Sequence, residues 1–488
     1  MTEDRLANTK KALLDNFNVL SNPPNKTAME DASIKVSHLL EGSNGIQLIL
    51  SKEVLPYLQQ GLQHSNAQVI RLTLNQIAKC AEDASTLPHL DDDRLFHLLV
   101  SLIESDDLSV SEATIRVFEK LCKHDEGRSI FFHSSIITQL KKMLLDTVPE
   151  KTRFRVLGLI ASISSLSPQN FYRCRDNGFL EDILSTLNTP DVLQWLIVVE
   201  LLEKLGNSEE IVGYLDESGA LKKLNDMLTE GLQSKDPFFS YVIPRIFIFF
   251  GVLASGGEKQ LQIVSQYNVQ KHLHTQLEEG SRELKEACIT SQGFLGSTPA
   301  GFLFLQQEGL LEDLSTTIGN ELLLRQASFH SLGHILDSLS KYNDGKVEAM
   351  LSTFAKNLPH RTRANEKTTL YEIVVPIVTG QPFEELRIAA FQTIKGLANF
   401  GWGSDELVNF PGFFEWLMNR NSENTKEGKE QKFEIVRRLL RTLEKRVREN
   451  QPRGALDVAR AAELNRYIRN GPFFVDAEAA VFVESKTQ

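Results

Sequence analysis

The chain has 488 residues, more than one compact hydrophobic core usually serves, so several domains or an elongated repeat array are expected. Its hydrophobic content of 41% and charged content of 24% are ordinary for a soluble protein, and its formal net charge of -11 argues against nucleic acid or anionic lipid as partners over most of the surface. The four cysteines are widely spaced and form no CxxC pair, which argues against a zinc site or a disulfide framework and favours reduced thiols.

The first fifty residues precede the repeating part of the chain. The opening stretch MTEDRLANTKKALLDNF has early acidic residues and lacks the apolar core of a signal peptide, so we expect a cytoplasmic protein that can also be nuclear. The polar SNPPNKT at 21–27 separates two predicted helices. Residues 1–50 are therefore predicted to form helices that cap the N-terminal end of the array.

Seven segments beyond residue 51 repeat the apolar spacing of one helical face. Their central apolar residues recur at intervals of 40 to 49 residues, each with another apolar residue four positions later. The central residues are Leu58, Leu98, Leu140, Ile183, Leu224, Leu273 and Leu314, followed by Leu62, Leu102, Leu144, Leu187, Leu228, Leu277 and Ile318. This period is typical of HEAT and armadillo repeats, so residues 51–475 are predicted to form an all-α, HEAT/armadillo-like solenoid of stacked helix pairs.

A second kind of predicted helix lies between these segments and places a basic residue near the start of an apolar stripe. The basic residues are Arg71, Arg116, Arg155, Arg245, Lys285, Arg325 and Arg387, and Gln194 takes the position in the unit between Arg155 and Arg245. They could line a strip that binds an acidic partner. Because the register is kept along the array, we favour a structural role, in which each side chain braces acidic or carbonyl groups of a neighbouring turn.

One helix of this second kind is unusually apolar. The run DPFFSYVIPRIFIFFGVLASGG at 236–257 has Arg245 near its middle, and its longest uncharged piece free of Pro and Ser is nine residues, too short to cross a bilayer. Pro244 should disturb the first turns of the helix. We expect the aromatic side chains to pack in the core, with a partner-binding patch around Phe238 and Tyr241 as the alternative.

Two breaks are predicted near the end of the array. The interval between the last two basic positions is 62 residues instead of about 40, so the solenoid should be irregular around 340–380. The polar NSENTKEGKEQ at 421–431 predicts an exposed loop. Residues 476–488 are predicted to be a disordered tail.

The last helices are basic. Residues 432–469 contain 11 Lys and Arg against 5 Asp and Glu, a local balance of +6. Their apolar positions fit a packed helix face with the charges in solvent. Docking of this face onto an acidic protein surface, with Arg438 and Arg441 as contacts, is the alternative.

The sequence carries no catalytic or cofactor motif: there is no P-loop, HExxH, nucleophile elbow or dinucleotide fingerprint. His330 and His334 lie one helical turn apart, and His272 and His274 flank a repeat position, but neither pair has a recognisable third zinc ligand. We expect no enzymatic activity, no metal and no cofactor.

Several stretches, in a fixed order along the chain, carry a resemblance beyond the generic repeat. They are DPFFSYVIPRIFIFFGVLA, QPFEELRIAAFQTIKGLANFGW, NFPGFFEWLMNR, KFEIVRRLL and YIRNGPFFV. Their order and spacing resemble the 26S proteasome non-ATPase regulatory subunit 5 family, HEAT/armadillo-like assembly chaperones without enzymatic activity. The resemblance implies a monomer that holds the C-terminal domain of an ATPase subunit of the regulatory particle base, beside the large non-ATPase base subunit, and leaves before the particle is finished.

A partner of that kind would contact polar and aromatic residues on the inner helices. The candidates are Asn75, Lys120, Gln194 and Tyr241. The alternative is an armadillo-type adaptor for transport or signalling, which would bind extended peptides in its groove. Such adaptors repeat Trp–Asn pairs along the groove, and this chain has three tryptophans and no such pair.

Overall fold

The computed structural model describes residues 2–21, 24–41, 55–90, 92–189, 191–360, 366–380, 382–452 and 454–474. The chain divides into two compact units, Met1–Gly206 and Asn207–Gln488. Helices make up nearly all of the described residues, and the only strands among them, β1 (Leu358–Pro359) and β2 (Lys367–Thr368), form one short antiparallel pair. The predicted all-α solenoid class is confirmed.

The first unit is built from thirteen described helices that follow one another in short steps. They are α1 (Thr2–Ser21), α2 (Lys26–Glu41), α3 (Leu55–Leu62), α4 (Ala67–Cys80), α5 (Leu87–Leu90), α6 (Asp93–Ser101), α7 (Leu108–Leu121), α8 (Asp125–Phe131), α9 (Ser134–Lys142), α10 (Glu150–Leu166), α11 (Pro168–Asp176), α12 (Phe179–Ser185) and α13 (Val192–Leu205). The N-terminal helices α1 and α2 pack against each other and then against α3 and α4. The predicted boundary of this cap at residue 50 lies outside the described residues.

The second unit continues the same sequence of short and long helices. They are α14 (Glu209–Glu217), α15 (Ala220–Gln233), α16 (Phe239–Ala254), α17 (Glu258–Ser265), α18 (Val269–Glu279), α19 (Arg282–Leu295), α20 (Pro299–Gln307), α21 (Leu310–Asn320), α22 (Arg325–Leu339), α23 (Gly345–Lys356), α24 (Leu370–Gly380), α25 (Glu384–Leu397), α26 (Gly401–Asn409), α27 (Phe413–Met418), α28 (Lys426–Arg448) and α29 (Val458–Asn470). The predicted tail at 476–488 lies outside the part of the chain that the structure describes.

The repeat contains three helices where the sequence predicted a pair. A short helix precedes the predicted anchor helix, and the long helix with the basic residue follows it, as in α8, α9 and α10. The short helices escape a periodicity search because they are only about two turns long, as in the nine-residue PQNFYRCRD of α11. The solenoid class stands, but its repeating unit contains one more helix than predicted.

Six of the seven predicted anchor residues are buried, and Leu98 is the exception. In α6 the buried side chains are Leu95 and Leu99, so the interior register there is shifted by one residue from the predicted one. Among the residues four positions later, three are only half-buried: Leu102, Leu144 and Leu277. The first two follow the ends of α6 and α9, where the chain has already turned away from the helical face.

Long helices of the second unit pack side by side in the order α16, α19, α22, α25 and α28. Three glycines allow this close approach, because a Cβ added to any of them would fall within 3.0 Å of an atom of the next long helix. The close pairs are Gly251 with Ser291, Gly293 with Ser331, and Gly333 with Gln392. Any larger side chain at these glycines would force the helices apart.

A buried hydroxyl joins each of these long helices to the one before it. The hydrogen bonds run from Ser291 Oγ to the Phe247 carbonyl (2.7 Å), from Ser331 Oγ to the Ile289 carbonyl (2.8 Å), from Thr393 Oγ1 to the Phe329 carbonyl (2.9 Å) and from Thr442 Oγ1 to the Ala398 carbonyl (2.7 Å). Gly333 meets Gln392 and Gly396 meets Leu336, so contacts advance in the same direction along both helices, and these neighbouring long helices run parallel.

The exposed loop predicted at 421–431 is shorter than expected, because residues 426–431 are helical. Helix α28 begins at Lys426, with the Thr425 hydroxyl accepting a hydrogen bond from the Gly428 amide at 3.0 Å as its N-cap. Lys432 is 1% exposed, and its ammonium donates to the carbonyls of Trp416 and Asn419 at 3.0 and 2.7 Å. The polar composition predicted a loop, but these polar groups cap α28 and hydrogen-bond it to the preceding part of the chain.

The predicted irregularity around 340–380 coincides with the β1–β2 pair. These strands lie between α23 and α24, and β1 packs against α21. Residues 361–365 lie outside the described residues. The extra length of this repeat is thus carried partly by the hairpin.

The apolar run at 236–257 forms α16. The helix passes through Pro244 without a break, so the predicted disturbance of its first turns is not observed. A missing N–H removes one intrahelical bond, and burial of Phe247, Phe249 and Phe250 holds the helix in place. Nowhere in the described part of the chain is there a helix of the length and apolarity needed to span a membrane.

The glycine contacts predict opposite effects for one substitution at two helical glycines. Gly293→Ala should lower the free energy of unfolding by about 1–3 kcal/mol, because the new Cβ would lie 2.9 Å from Ser331. Gly213→Ala in α14, where nothing lies within 4 Å, should raise it by roughly 0.5–1 kcal/mol through helix propensity. Thermal and denaturant unfolding of both variants measures the difference, and shifts of the same sign would contradict the proposed packing constraint.

Candidate protein-binding surface

The outward side of the long helices in the second unit forms a continuous surface, here called the long-helix face. On α16 it begins with Tyr241 and Arg245, both exposed, and continues with the half-buried Ile248 and Val252. Their spacing of three or four residues places them on one side of the helix. Tyr241 is 65% exposed and Phe238, just before the helix, is 53% exposed, so neither belongs to the core that the other aromatic residues of α16 form.

The long-helix face continues across α19 and α22. Phe294 of α19 is half-buried, and the ring of His334 meets its edge with 5.0 Å between centroids. His330, one turn earlier on α22, is exposed. The face therefore combines aromatic, apolar and titratable side chains, a composition typical of protein-binding surfaces.

Further along, the face is organised by an ion-pair network around Arg438 of α28. Its guanidinium lies 2.5 Å from Asp337 of α22 and 3.2 Å from Glu434, and it also donates to the Lys395 carbonyl at 3.2 Å. Although burial raises the pKa of Asp337, Arg438 and the Asn399 amide outweigh it and hold that pKa below its ordinary value. The network ties three successive long helices together.

This network changes the predicted role of Arg438. Its side chain is only 17% exposed, so the residue braces the fold and does not offer its charge to a partner. Arg441 differs, because its side chain is 57% exposed and lies 3.5 Å from Glu434. Arg441 therefore remains accessible as a contact.

The predicted contacts on the first unit lie on its long helices. Asn75 of α4 is exposed. Lys120 of α7 pairs with Glu82 at 2.7 Å, and the Gln194 amide of α13 donates to Glu150 at 3.0 Å. Lys120 and Gln194 thus also take part in contacts between consecutive repeats.

Four members of the predicted basic ladder reach groups in a neighbouring turn. Arg155 donates to the carbonyls of Ile103 (3.1 Å) and Ser105 (2.7 Å), Lys285 to that of Glu278 (2.9 Å), Arg325 to those of Ile318 (3.0 Å) and Gly319 (2.9 Å), and Arg387 pairs with the buried carboxylate of Glu423. These contacts fit the bracing interpretation.

The other ladder positions are exposed and differ from one another. Arg71 reaches the Ser109 hydroxyl at 3.5 Å, at the start of the next long helix. Arg116 makes no hydrogen bond or ion pair with any residue the structure describes, and Arg245 lies on the long-helix face beside Tyr241. For these three positions the bracing role therefore stays a prediction.

A groove lies where the repeat is interrupted in the second unit. It has a volume of about 750 Å³ and is lined by α21, α23 and the residues around the hairpin, with Met350 and Phe354 on its apolar side and Lys346 and Lys367 at its rim. The sequence marked this region only as irregular.

The sequence analysis missed exposed apolar residues at the starts of long helices. Leu322 and Leu323 precede α22, and Phe383 precedes α25; all three are exposed. A signal was available, because each lies next to acidic residues that are poor core neighbours, namely Glu321, Glu384 and Glu385.

The titratable groups do not assemble into a metal site among the described residues. His272 and His274 flank the buried Leu273, and His274 lies 2.7 Å from Asp313 and 3.9 Å from Glu278. Burial raises the pKa of the Cys80 and Cys174 thiols to about 12 and raises the pKa of Cys122 and Cys288 as well. Protonated, buried thiols are poor nucleophiles.

The contrast between the two arginines of α28 is testable. Arg438→Ala should lower the free energy of unfolding by about 1.5–3 kcal/mol, because it leaves Asp337 without its charged hydrogen bond. Arg441→Ala should change it by no more than about 0.5 kcal/mol, since the side chain is exposed. Equal losses in thermal unfolding would mean that the network does not brace the fold.

The pKa values of the two histidines of α18 should be shifted in opposite directions from the ordinary value. Burial lowers the pKa of His272, whereas the hydrogen bond and charge of Asp313 raise the pKa of His274. The folded state holds the His274 proton more tightly, so this pair stabilises the fold below the unfolded pKa of about 6.5, and the contribution is lost as pH rises through the folded pKa. NMR titration should show both shifts, with Asp313→Asn lowering the pKa of His274 alone; a raised pKa that survives this substitution would rule out Asp313 as the cause.

Comparisons with known proteins agree with the resemblance seen in the sequence. A family model described as the proteasome non-ATPase 26S subunit matches residues 10–488. The 26S proteasome non-ATPase regulatory subunit 5 of Bos taurus is 27% identical over 437 residues, which cover 88% of this chain and 82% of the relative. The protein of the same name in Drosophila melanogaster is 22% identical over 439 residues, 88% of this chain and 80% of the relative.

Solved structures add little to this. A designed armadillo repeat protein aligns with 58% of this chain and 99% of its own, at 14% identity and a TM-score of 0.27, and a similarity of that size carries no argument. The family model, in contrast, spans nearly the whole chain. The chain belongs to the family of proteasome non-ATPase 26S subunits.

Proposed function

We propose that the protein is a non-enzymatic assembly chaperone of the base of the proteasome regulatory particle. It binds the C-terminal domain of an ATPase subunit, beside the large non-ATPase base subunit, and is released before the particle matures. Membership of the family relates the chain to the proteasome. The proposed site of action is cytoplasmic and also nuclear.

The observation that carries the proposal is the long-helix face of the second unit. It offers Tyr241, Arg245 and Arg441 to solvent on helices whose opposite sides are locked to their neighbours. Rigid elements that present aromatic and arginine side chains lose little conformational entropy on binding, and these residue types dominate binding energy at protein interfaces.

Binding followed by release requires a partner that exists in two states. The free ATPase subunit exposes the contacted surface, and the assembled particle covers it with competing contacts. The chaperone binds the first state more tightly, so assembly itself lowers its affinity and drives dissociation. No chemical step is needed in this scheme, which fits the buried thiols and the absence of a metal cluster from the described residues.

The decisive experiment is affinity purification of the tagged full-length chain, with identification of the bound proteins. We expect free ATPase subunits and early assembly modules to co-purify and mature proteasomes to be depleted. Recovery of the tagged chain in equal amounts with mature proteasomes would contradict the chaperone proposal. Recovery of basic transport-signal peptides in place of ATPase domains would favour a peptide-binding adaptor.

Tyr241→Ala should weaken binding of an isolated ATPase C-terminal domain by roughly tenfold or more, because an exposed aromatic contact is removed from the long-helix face. Thermal stability should not change, since the side chain lies outside the core. Tyr172→Ala, which truncates an exposed tyrosine of the first unit, is the matched control and should bind normally. Normal binding by both variants would mean that the ATPase domain does not contact Tyr241.

A further inference from the structure

A second surface of the second unit lies at the starts of α22 and α25. It is formed by Leu322 and Leu323 before α22 and by Phe383 before α25, which are 44%, 69% and 69% exposed. Three exposed carboxylates accompany them, those of Glu321, Glu384 and Glu385. We call these six residues the edge patch.

The packing of α22 against α25 places the two halves of the edge patch at the same end of two neighbouring helices. The helices run parallel, with Thr393 bonded to the Phe329 carbonyl and Gly333 against Gln392. Each contact joins residues about 60 positions apart in the chain. The start of α22 is therefore level with the start of α25.

The apolar residues of the edge patch are held in place and do not belong to a loose loop. Leu322 and Leu323 lie in a 3-10 turn that ends at the buried Leu324, and Arg325 then bonds two carbonyls at the end of α21. Phe383 is the residue before α25, and its carbonyl accepts from the Arg387 amide at 3.2 Å. Exposed apolar groups on such rigid supports are typical of binding surfaces.

The charge of the edge patch is negative because its three carboxylates outnumber the basic residues beside it in the chain. Arg387 is paired with the carboxylate of Glu423, and Arg325, which bonds neutral backbone carbonyls, contributes one positive charge. None of the three patch carboxylates forms an ion pair with any described residue. Acidic residues in a first helical turn interact favourably with the helix dipole, which accounts for Glu384 and Glu385. It does not account for the exposed leucines and phenylalanine.

We propose that the edge patch docks a basic amphipathic helix of another protein, which places apolar side chains on Leu322, Leu323 and Phe383 and Lys or Arg side chains on the three carboxylates. Charge complementarity selects this partner, because a second copy of the same patch or an anionic membrane would set like charges against each other. A helix fits the pattern because it presents one apolar stripe flanked by charges. The inference does not depend on the proposed chaperone function.

The experiment uses the full-length chain and a synthetic amphipathic helix of about 18 residues, with leucines on one face and lysines on the other. Fluorescence anisotropy should show binding that weakens as salt is added. A peptide with the same leucines and glutamates in place of the lysines should bind at least roughly tenfold more weakly.

Two double variants locate the binding. Leu323→Ser with Phe383→Ser removes the apolar contact, and Glu384→Lys with Glu385→Lys reverses the charge; each should weaken the lysine peptide by roughly tenfold or more. The matched control is Glu217→Lys with Glu308→Lys, the same charge change at exposed positions outside the patch, and it should bind as the parent does. All variants alter exposed residues, and circular dichroism verifies their folding.

Three results would overturn the proposal. They are failure of the lysine peptide to bind, equal binding of the glutamate peptide, and unchanged binding by both patch variants. Affinity for an isolated ATPase C-terminal domain is measured in parallel. A variant that loses affinity for the ATPase domain has an altered long-helix face. A variant that loses affinity only for the peptide has an altered edge patch.

Discussion

The second unit depends on how closely its long helices approach one another. Glycines at Gly251, Gly293 and Gly333 bring backbone against backbone, and the hydroxyl of the next helix closes each step with a buried hydrogen bond. A methyl group in place of a glycine hydrogen would obstruct the approach. An apolar residue in place of the serine or threonine would leave the carbonyl of the neighbouring helix without its hydrogen bond. Both candidate surfaces follow from this arrangement, because parallel helices in register present corresponding residues in rows.

Apolar periodicity is sufficient to predict the anchor and long helices, because burial forces the same spacing at every repeat. It cannot reveal the short helices, because about two turns are too few to establish a periodic stripe. The register of Leu98 was misplaced for a similar reason: in LFHLLV several leucine positions satisfy the pattern, and only packing selects Leu95 and Leu99. Local capping explains the other error, since a threonine and a glycine three residues apart began a helix in a segment whose composition suggested a loop.

The candidate sites were harder to predict because they depend on distant partners. From the sequence, Arg438 is expected to be an exposed charge on a basic helix, because its partner Asp337 lies 101 residues earlier in the chain. The exposed leucines before α22 read as core for the opposite reason, since an apolar residue is buried by default in sequence reasoning. The expected core packing of the aromatic residues of α16 fails for Tyr241, which is 65% exposed and close to the start of the helix.

Arg325 and Arg387 link the mechanics of the stack to its electrostatics. The charge of Arg387 is balanced by the carboxylate of Glu423, whereas Arg325 bonds neutral carbonyls and keeps its positive charge. Replacing Arg325 with an uncharged residue would therefore loosen a repeat and also make the potential of the neighbouring edge more negative. In a solenoid of this kind the surface sign of a repeat is set by which of its charges are paired with opposite charges.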